Sequence, residues 1–150
     1  MISATKEDFS IREAKRTDIG SFAATIARAK TIGKLTPKTY LNWIVREGFA
    51  FVAEEGERKS NTKKKKAMGF LLAERDSKVA AHVNYLYVHP RHRGQGVGSI
   101  LMQHFLGTCR KKGIRYVDLH SKDKTAGFYR TFGFKSEGKY TVLFKRLRPN

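Results

Sequence analysis

The sequence predicts an α/β fold of the mixed α+β kind, a central mixed β-sheet flanked by helices. Two observations predict it. Apolar positions recur at helical spacing in some segments and as short strand-like runs in others, and the two kinds alternate along the chain. The length, 150 residues, suits one domain with one core, and 40% apolar with 11% aromatic residues is enough to build it. No internal repeat or second domain is visible, so residues 1–150 are expected to form a single domain.

Residues 10–14, Ser-Ile-Arg-Glu-Ala, alternate weakly and read as a first strand, after which Thr17 offers a helix N-cap hydroxyl. The helix that follows carries Ile19, Phe22, Ala23, Ile26 and Ala27 on one face. A second helix is predicted from Thr36, with Pro37 where a missing N–H costs nothing, a buried stripe of Tyr40, Leu41, Ile44 and Val45, and Gly48 as its stop. Residues 49–54 and 67–75 are strand-like runs joined by a polar loop that ends in Lys63–Lys66, read as a long and mobile hairpin connection. Residues 80–88 form a further strand, with His82, Asn84, Leu86 and Val88 expected on one face and Val83, Tyr85 and Tyr87 on the other. Pro90 stops it. A wide apolar helix with Val97, Ile100, Leu101, Phe105, Leu106 and Cys109 runs to about Gly113. Residues 115–120 read as a strand, 125–132 as a short helix, and 134–137 and 140–147 as closing strands.

Several classes of function are excluded or disfavoured by composition. No apolar run approaches the roughly 18–20 residues of a membrane helix, and the first 18 residues lack the features of a secretory signal, so a cytoplasmic protein with no membrane partner is expected. Cys109 is the sole cysteine, which excludes an intrachain disulfide and argues against a thiolate zinc cluster. The histidines at 82, 89, 92, 104 and 120 show no metal-ligand spacing, so no metal is expected.

The informative segment runs from Leu86 to Gly98, where a strand enters a glycine-rich turn that opens a helix. Glycines let the backbone approach a ligand, and the unpaired N–H groups of a first helical turn attract an anion, so a pyrophosphate is the natural guest. The dinucleotide fingerprint GxGxxG fails, because Ser99 stands where its third glycine would be; a P-loop fails because no Gly-Lys-Ser/Thr occurs. Arg93-Gly94-Gln95-Gly96-Val97-Gly98 instead resembles motif A, (Q/R)-x-x-G-x-(G/A), of the GNAT superfamily of acetyl-CoA-dependent N-acetyltransferases. Further on, Phe128-Tyr129-Arg130-Thr131-Phe132-Gly133-Phe134 resembles the FYxxxGF end of that family's motif B. The Ile11 to Asp18 opening and the order of elements also fit.

The resemblance implies the GNAT acyltransferase fold, acetyl-CoA as cosubstrate and an amine as acceptor. By position it implies that Leu86, Tyr87 and Val88 offer free backbone groups to the pantetheine arm and the thioester. The pyrophosphate would lie on the amides of Arg93, Gly94, Gln95, Gly96, Val97, Gly98 and Ser99. Tyr129 corresponds to the family's general acid; a phenol near pKa ~10 can protonate a thiolate near ~8.5, and the alternative is a structurally packed tyrosine. His82, four residues before Leu86, stands where family members present a base, and an imidazole near ~6.5 can take an amine proton directly or through water. The alternative for His82 is an ordinary hydrogen-bonded strand histidine. In one departure, Lys122 and Thr125 occupy the positions of the motif's usual Asn and small residue. His120 reads as a surface or hydrogen-bonded histidine and Cys109 as helix core.

Charge bears on the acceptor. With 31 Lys+Arg against 13 Asp+Glu the net charge is +18, more than a few phosphates require. A solvated basic surface and recruitment to an acidic or nucleic-acid-associated macromolecule are both open; a small acidic acceptor is weaker and polyamines are disfavoured. The leading expectation is acetylation of a protein lysine or N-terminus. Aminoacyl-tRNA or a small amine is the alternative acceptor, and a basic nucleic-acid-binding module with the same fold is the alternative function. Oligomeric state is left open.

Overall fold

The computed structural model describes residues 9–28, 38–56, 65–136, 138, 143 and 145, in two compact units, Met1–His120 and Ser121–Asn150. In the first unit the elements are β1 (Phe9–Glu13), α1 (Ile19–Arg28), α2 (Lys38–Glu47), β2 (Phe49–Glu55), β3 (Ala67–Arg75), β4 (Ala80–Val88), α3 (Val97–Lys111) and β5 (Tyr116–Leu119). The five strands lie in sequence order, antiparallel except for the parallel β4–β5 pair, so the sheet is mixed as predicted. Such a parallel pair needs a crossover connection, and α3 supplies it.

Strand periodicity divides the core into two layers. Ala50 and Val52 of β2 and Phe70 and Leu72 of β3 pack with Ile19, Phe22 and Ile26 of α1 and Leu41 and Ile44 of α2. Their neighbours face α3: the Phe49 ring meets Phe105 at 5.4 Å and Phe51 meets His104 at 4.6 Å. Leu41, Ile44, Leu72, Leu101 and Phe105 are completely buried, each contributing about 1.5–3 kcal/mol of apolar transfer, so both faces of the sheet carry core.

The entry to α1 differs from the sequence expectation. Thr17 lies inside a 3-10 turn, Arg16–Asp18, and the capping contact comes from Asp18, whose Oδ2 accepts the Lys15 N–H at 2.7 Å. The same carboxylate accepts two hydrogen bonds from Arg12, at 2.8 and 2.9 Å, and the Arg12 Nε donates to Glu54 at 2.8 Å. Arg12 therefore ties the α1 entry to β1 and β2. Its hydrogen bonds hold the Asp18 carboxyl below the ordinary carboxylate range.

In the second unit α4 (Asp123–Arg130) starts two residues earlier than predicted and ends in a turn over 131–133, where Gly133 has φ +89°. Residues 134–136 are irregular rather than a strand. Most of the predicted strand at 140–147, the Thr36–Pro37 helix start and most of the lysine-rich loop, 57–64, lie outside the described residues.

Candidate acetyl-transfer site

β4 pairs with β3 from Ala81 to Val88, interrupted at one residue, but with β5 only from Ala80 to Val83. Beyond Val83 the edge that faced β5 has no strand partner among the described residues. Leu86, Tyr87 and Val88 lie on this stretch, where only the backbone groups that do not bond β3 are open to a ligand.

The separation coincides with an extra residue in β4. Leu72 pairs with Tyr85 and Ala73 with Val83, so Asn84 is a bulge with no register partner. Residues paired directly across a sheet share a face, and the bulge therefore corrects the alternation read from sequence. Val83 lies on the α3 face with Leu86 and Val88, while His82 lies on the α1/α2 face with Tyr85 and Tyr87. Asn84 secures the bulge with its side chain: Oδ1 accepts the Glu74 N–H at 2.9 Å, and Nδ2 donates to the Tyr40 hydroxyl at 3.2 Å. The Tyr40 hydroxyl donates to Glu74 Oε2 at 2.6 Å, which closes a ring of contacts from α2 to β3 and β4. Burial, then the Glu74 carboxylate, push the Tyr40 phenol up to about 12, so it stays a donor. Sequence reading assigned Tyr40 only to the buried stripe of α2 and missed this network.

At the far end of β4 the chain turns through Pro90–His92 into two glycines with left-handed backbone, Gly94 at φ +76° and Gly96 at φ +84°. Gly96 is the N-cap of α3 and no side chain caps the helix, so the N–H groups of Val97, Gly98 and Ser99 have no intrahelical acceptor. A Cβ on Gly94 would meet nothing within 4 Å, so that side of the turn is open. Together with exposed Arg91, and with no acidic residue from 89 to 99, these amides suit a phosphate-bearing ligand. Arg93 donates from Nε to the Val88 carbonyl at 3.0 Å and its guanidinium lies 5.9 Å from the Tyr87 ring centre. It braces the turn against the strand while its terminal nitrogens keep their charge. Gln95 is exposed, whereas the Val97 side chain is buried, leaving only its amide to a ligand. A cleft of about 420 Å³ beside this end is lined by Phe22, Arg28, Phe70, Tyr87, His89 and Pro90 among others.

His82 sits at the opposite end of β4. Its Nδ1 is 3.0 Å from Asp118 Oδ1, and its ring meets His120 edge to face at 5.3 Å. Glu74 pairs with His82 across β3 and β4, and Asp76 follows close by. Partial desolvation, Glu74 and Asp118 raise the Asp76 carboxyl, while His82 opposes that shift. Sequence reading missed Asp118, although a carboxylate inside the apolar run Tyr-Val-Asp-Leu was a signal that could have found it.

Tyr129 belongs to the second unit. It is partly buried, its ring meets Phe128 at 5.1 Å and Phe134 at 6.1 Å, and burial raises its phenol. A phenol shifted that way stays protonated and able to donate. Ser121 and Thr125 share a hydrogen bond at 2.7 Å near the start of α4, where the motif's usual Asn is absent. Cys109 is buried in α3, and burial pushes its thiol up to about 11, which makes it a poor nucleophile. Among the described residues no group of histidine, cysteine and carboxylate side chains could hold a metal, and no helix is long and apolar enough to cross a membrane.

Comparison with known proteins agrees with this geometry. The acetyltransferase (GNAT) domain profile matches residues 46–136. An uncharacterized N-acetyltransferase, ycf52, of Gracilaria tenuistipitata var. liui is 32% identical over 72 residues, 48% of this chain and 40% of that protein. The glucosamine 6-phosphate N-acetyltransferase of Trypanosoma brucei brucei is 32% identical over 69 residues, 46% of this chain and 47% of that protein. The chain thus spans about half the length of these relatives or less. The crystal structure of Ard1 from Thermoplasma volcanium superposes with a TM-score of 0.70 at 26% identity, covering 87% of this chain and 85% of that one. The matched profile takes in both the glycine turn and the Phe128–Phe134 motif, and the chain belongs to the GNAT acetyltransferase family.

Proposed function

We propose that this protein is an acetyl-CoA-dependent N-acetyltransferase, a single domain acting in the cytoplasm on a primary amine of a macromolecule, a protein lysine or N-terminus. The observation that carries the reading is the unpaired stretch of β4 leading into an uncapped, glycine-lined helix start. Acetyl-CoA supplies the acetyl thioester when bound. Leu86, Tyr87 and Val88 orient its pantetheine arm, and the amides from Arg93 to Ser99 hold its pyrophosphate. His82 takes the proton that the attacking amine loses, and the Tyr129 hydroxyl gives one to the departing thiolate. The new bond joins amine nitrogen to acetyl carbon, and the bond that breaks is carbon to sulfur.

The carboxylates near His82 favour an acceptor that arrives as an ammonium and disfavour one with a phosphate beside its amine. That supports a protein amine over a phosphorylated amino sugar, the substrate in the name of the trypanosome relative. Small amines and aminoacyl-tRNA are the second reading, supported by that same relative and by the basic exterior. Incubation with acetyl-CoA and panels of peptides, small amines and aminoacyl-tRNA, with release of free CoA as readout, tests both. Acceptor-dependent release on peptides supports the leading reading; release on small amines or aminoacyl-tRNA alone supports the second. Salt-sensitive nucleic-acid binding without any thiol release would leave a binding module.

A further inference from the structure

We propose that Asp118 is a positioning residue for His82: by accepting a hydrogen bond from Nδ1 it holds the imidazole in the tautomer whose Nε2 is free to take the acceptor's proton. The inference rests on the reading of His82 as base given above.

The argument begins with register. His82 and Asp118 are direct partners in the parallel β4–β5 ladder, and only one further pair, Val83 with Leu119, precedes the parting of the strands. The dyad therefore lies at the apex of the opening between β4 and β5. Its Oδ1···Nδ1 separation of 3.0 Å is a hydrogen-bond distance. A carboxylate can only accept, so the proton of the neutral ring must be on Nδ1, and the lone pair on Nε2. The His82 side chain is 20% exposed and that of Asp118 70% exposed, so the ring is largely enclosed while the carboxylate stands in water. His120, edge to face with the ring, limits its rotation.

Other charged groups near the ring do not substitute for Asp118. Glu74, its β3 partner, has Oε2 engaged by the Tyr40 hydroxyl, and Asp76 lies close enough to interact electrostatically but makes no hydrogen bond with the ring among the described residues. From β5 the neighbour is Asp118, and His120 follows just beyond the end of that strand. When the amine's proton moves to Nε2, positive charge appears on the ring, and the carboxylate on Nδ1 is the group in direct contact with it.

The test pairs a spectroscopic reading with a kinetic one. Nitrogen-15 correlation spectra of the full chain at a pH where the histidines are neutral should report Nδ1–H for His82. In Asp118→Asn the side-chain amide can donate to Nδ1, so the spectrum should change to Nε2–H, while Asp118→Glu should restore Nδ1–H. With a lysine-containing peptide as probe acceptor, Asp118→Asn should lower kcat about 100-fold with the acetyl-CoA KM unchanged, and the Glu variant should recover part of the loss. Melting curves of both variants check that they fold. An Nε2–H tautomer in the unaltered protein, or an Asn variant with unaltered tautomer and kcat, overturns the inference. If His82→Ala keeps full kcat, the base reading fails instead, and the tautomer data separate the two failures. If the peptide proves not to be an acceptor, the tautomer data still decide the proposal.

Discussion

The two ends of β4 contrast in charge and in the way the backbone is used. At the Val88 end the contacts are glycines with positive φ, uncapped amides and arginines, and the side chains mostly brace the turn. At the His82 end the backbone is paired on both sides and the chemistry is in side chains, a histidine among Glu74, Asp76 and Asp118. In a chain of net charge +18 this acidic neighbourhood stands out more than any basic one. The contrast teaches that net charge describes the exterior, while a nine-residue strand spans from a site suited to phosphate to one suited to an ammonium. Asn84 lies between them, and its bulge puts His82 on the face of Tyr85 and Tyr87.

Four substitutions break the contrast at different points. The largest effect is expected from Gly96→Val: a β-branched residue at φ +84° costs about 1–2 kcal/mol of strain and obstructs approach to the helix amides. Titration calorimetry should show acetyl-CoA binding about 100-fold weaker. Tyr129→Phe should lower kcat by about 10- to 100-fold in steady-state assays while the acetyl-CoA KM holds, because it removes a proton donor and keeps the ring packing. Asn84→Ala leaves the Glu74 N–H and the Tyr40 hydroxyl each short of a partner, and denaturant melts should register a loss of about 1–2 kcal/mol.

The smallest effect is expected at the entry to α1. Asp18→Asn should destabilise by about 1 kcal/mol near neutral pH, since the carboxylate is partly exposed and its pairing with Arg12 is screened. The sign of its pH dependence follows from the lowered folded-state pKa. The contribution is fully present above the ordinary value of 3.8 and disappears as pH falls through the lower folded value. Thermal melts of the two proteins should differ at pH 6 and converge below pH 3.8.

Much of the layout was legible because it depends on local patterns. The stripe of Ile19, Phe22 and Ile26, the runs at β2 and β3, and the glycine turn each announce themselves within a dozen residues. The entry to α1 was misread by one residue, because Thr17 and Asp18 are both capping types and only Arg12, brought across from β1, selects the carboxylate. The bulge was not legible. Val83, Tyr85 and Tyr87 form an unbroken large-residue alternation in sequence, and the extra residue becomes visible only against the β3 partners. Likewise the His82–Asp118 contact joins residues 36 apart through a parallel register that no local pattern encodes.

The central claim is that β4 divides its work, holding the donor at one end and moving the acceptor's proton at the other. Calorimetric titration of acetyl-CoA into the unaltered protein, His82→Ala and Gly96→Val tests it most directly. The account predicts that His82→Ala binds as tightly as the unaltered protein while Gly96→Val binds about 100-fold more weakly. Equal weakening of both variants, or loss of binding in His82→Ala alone, would contradict it.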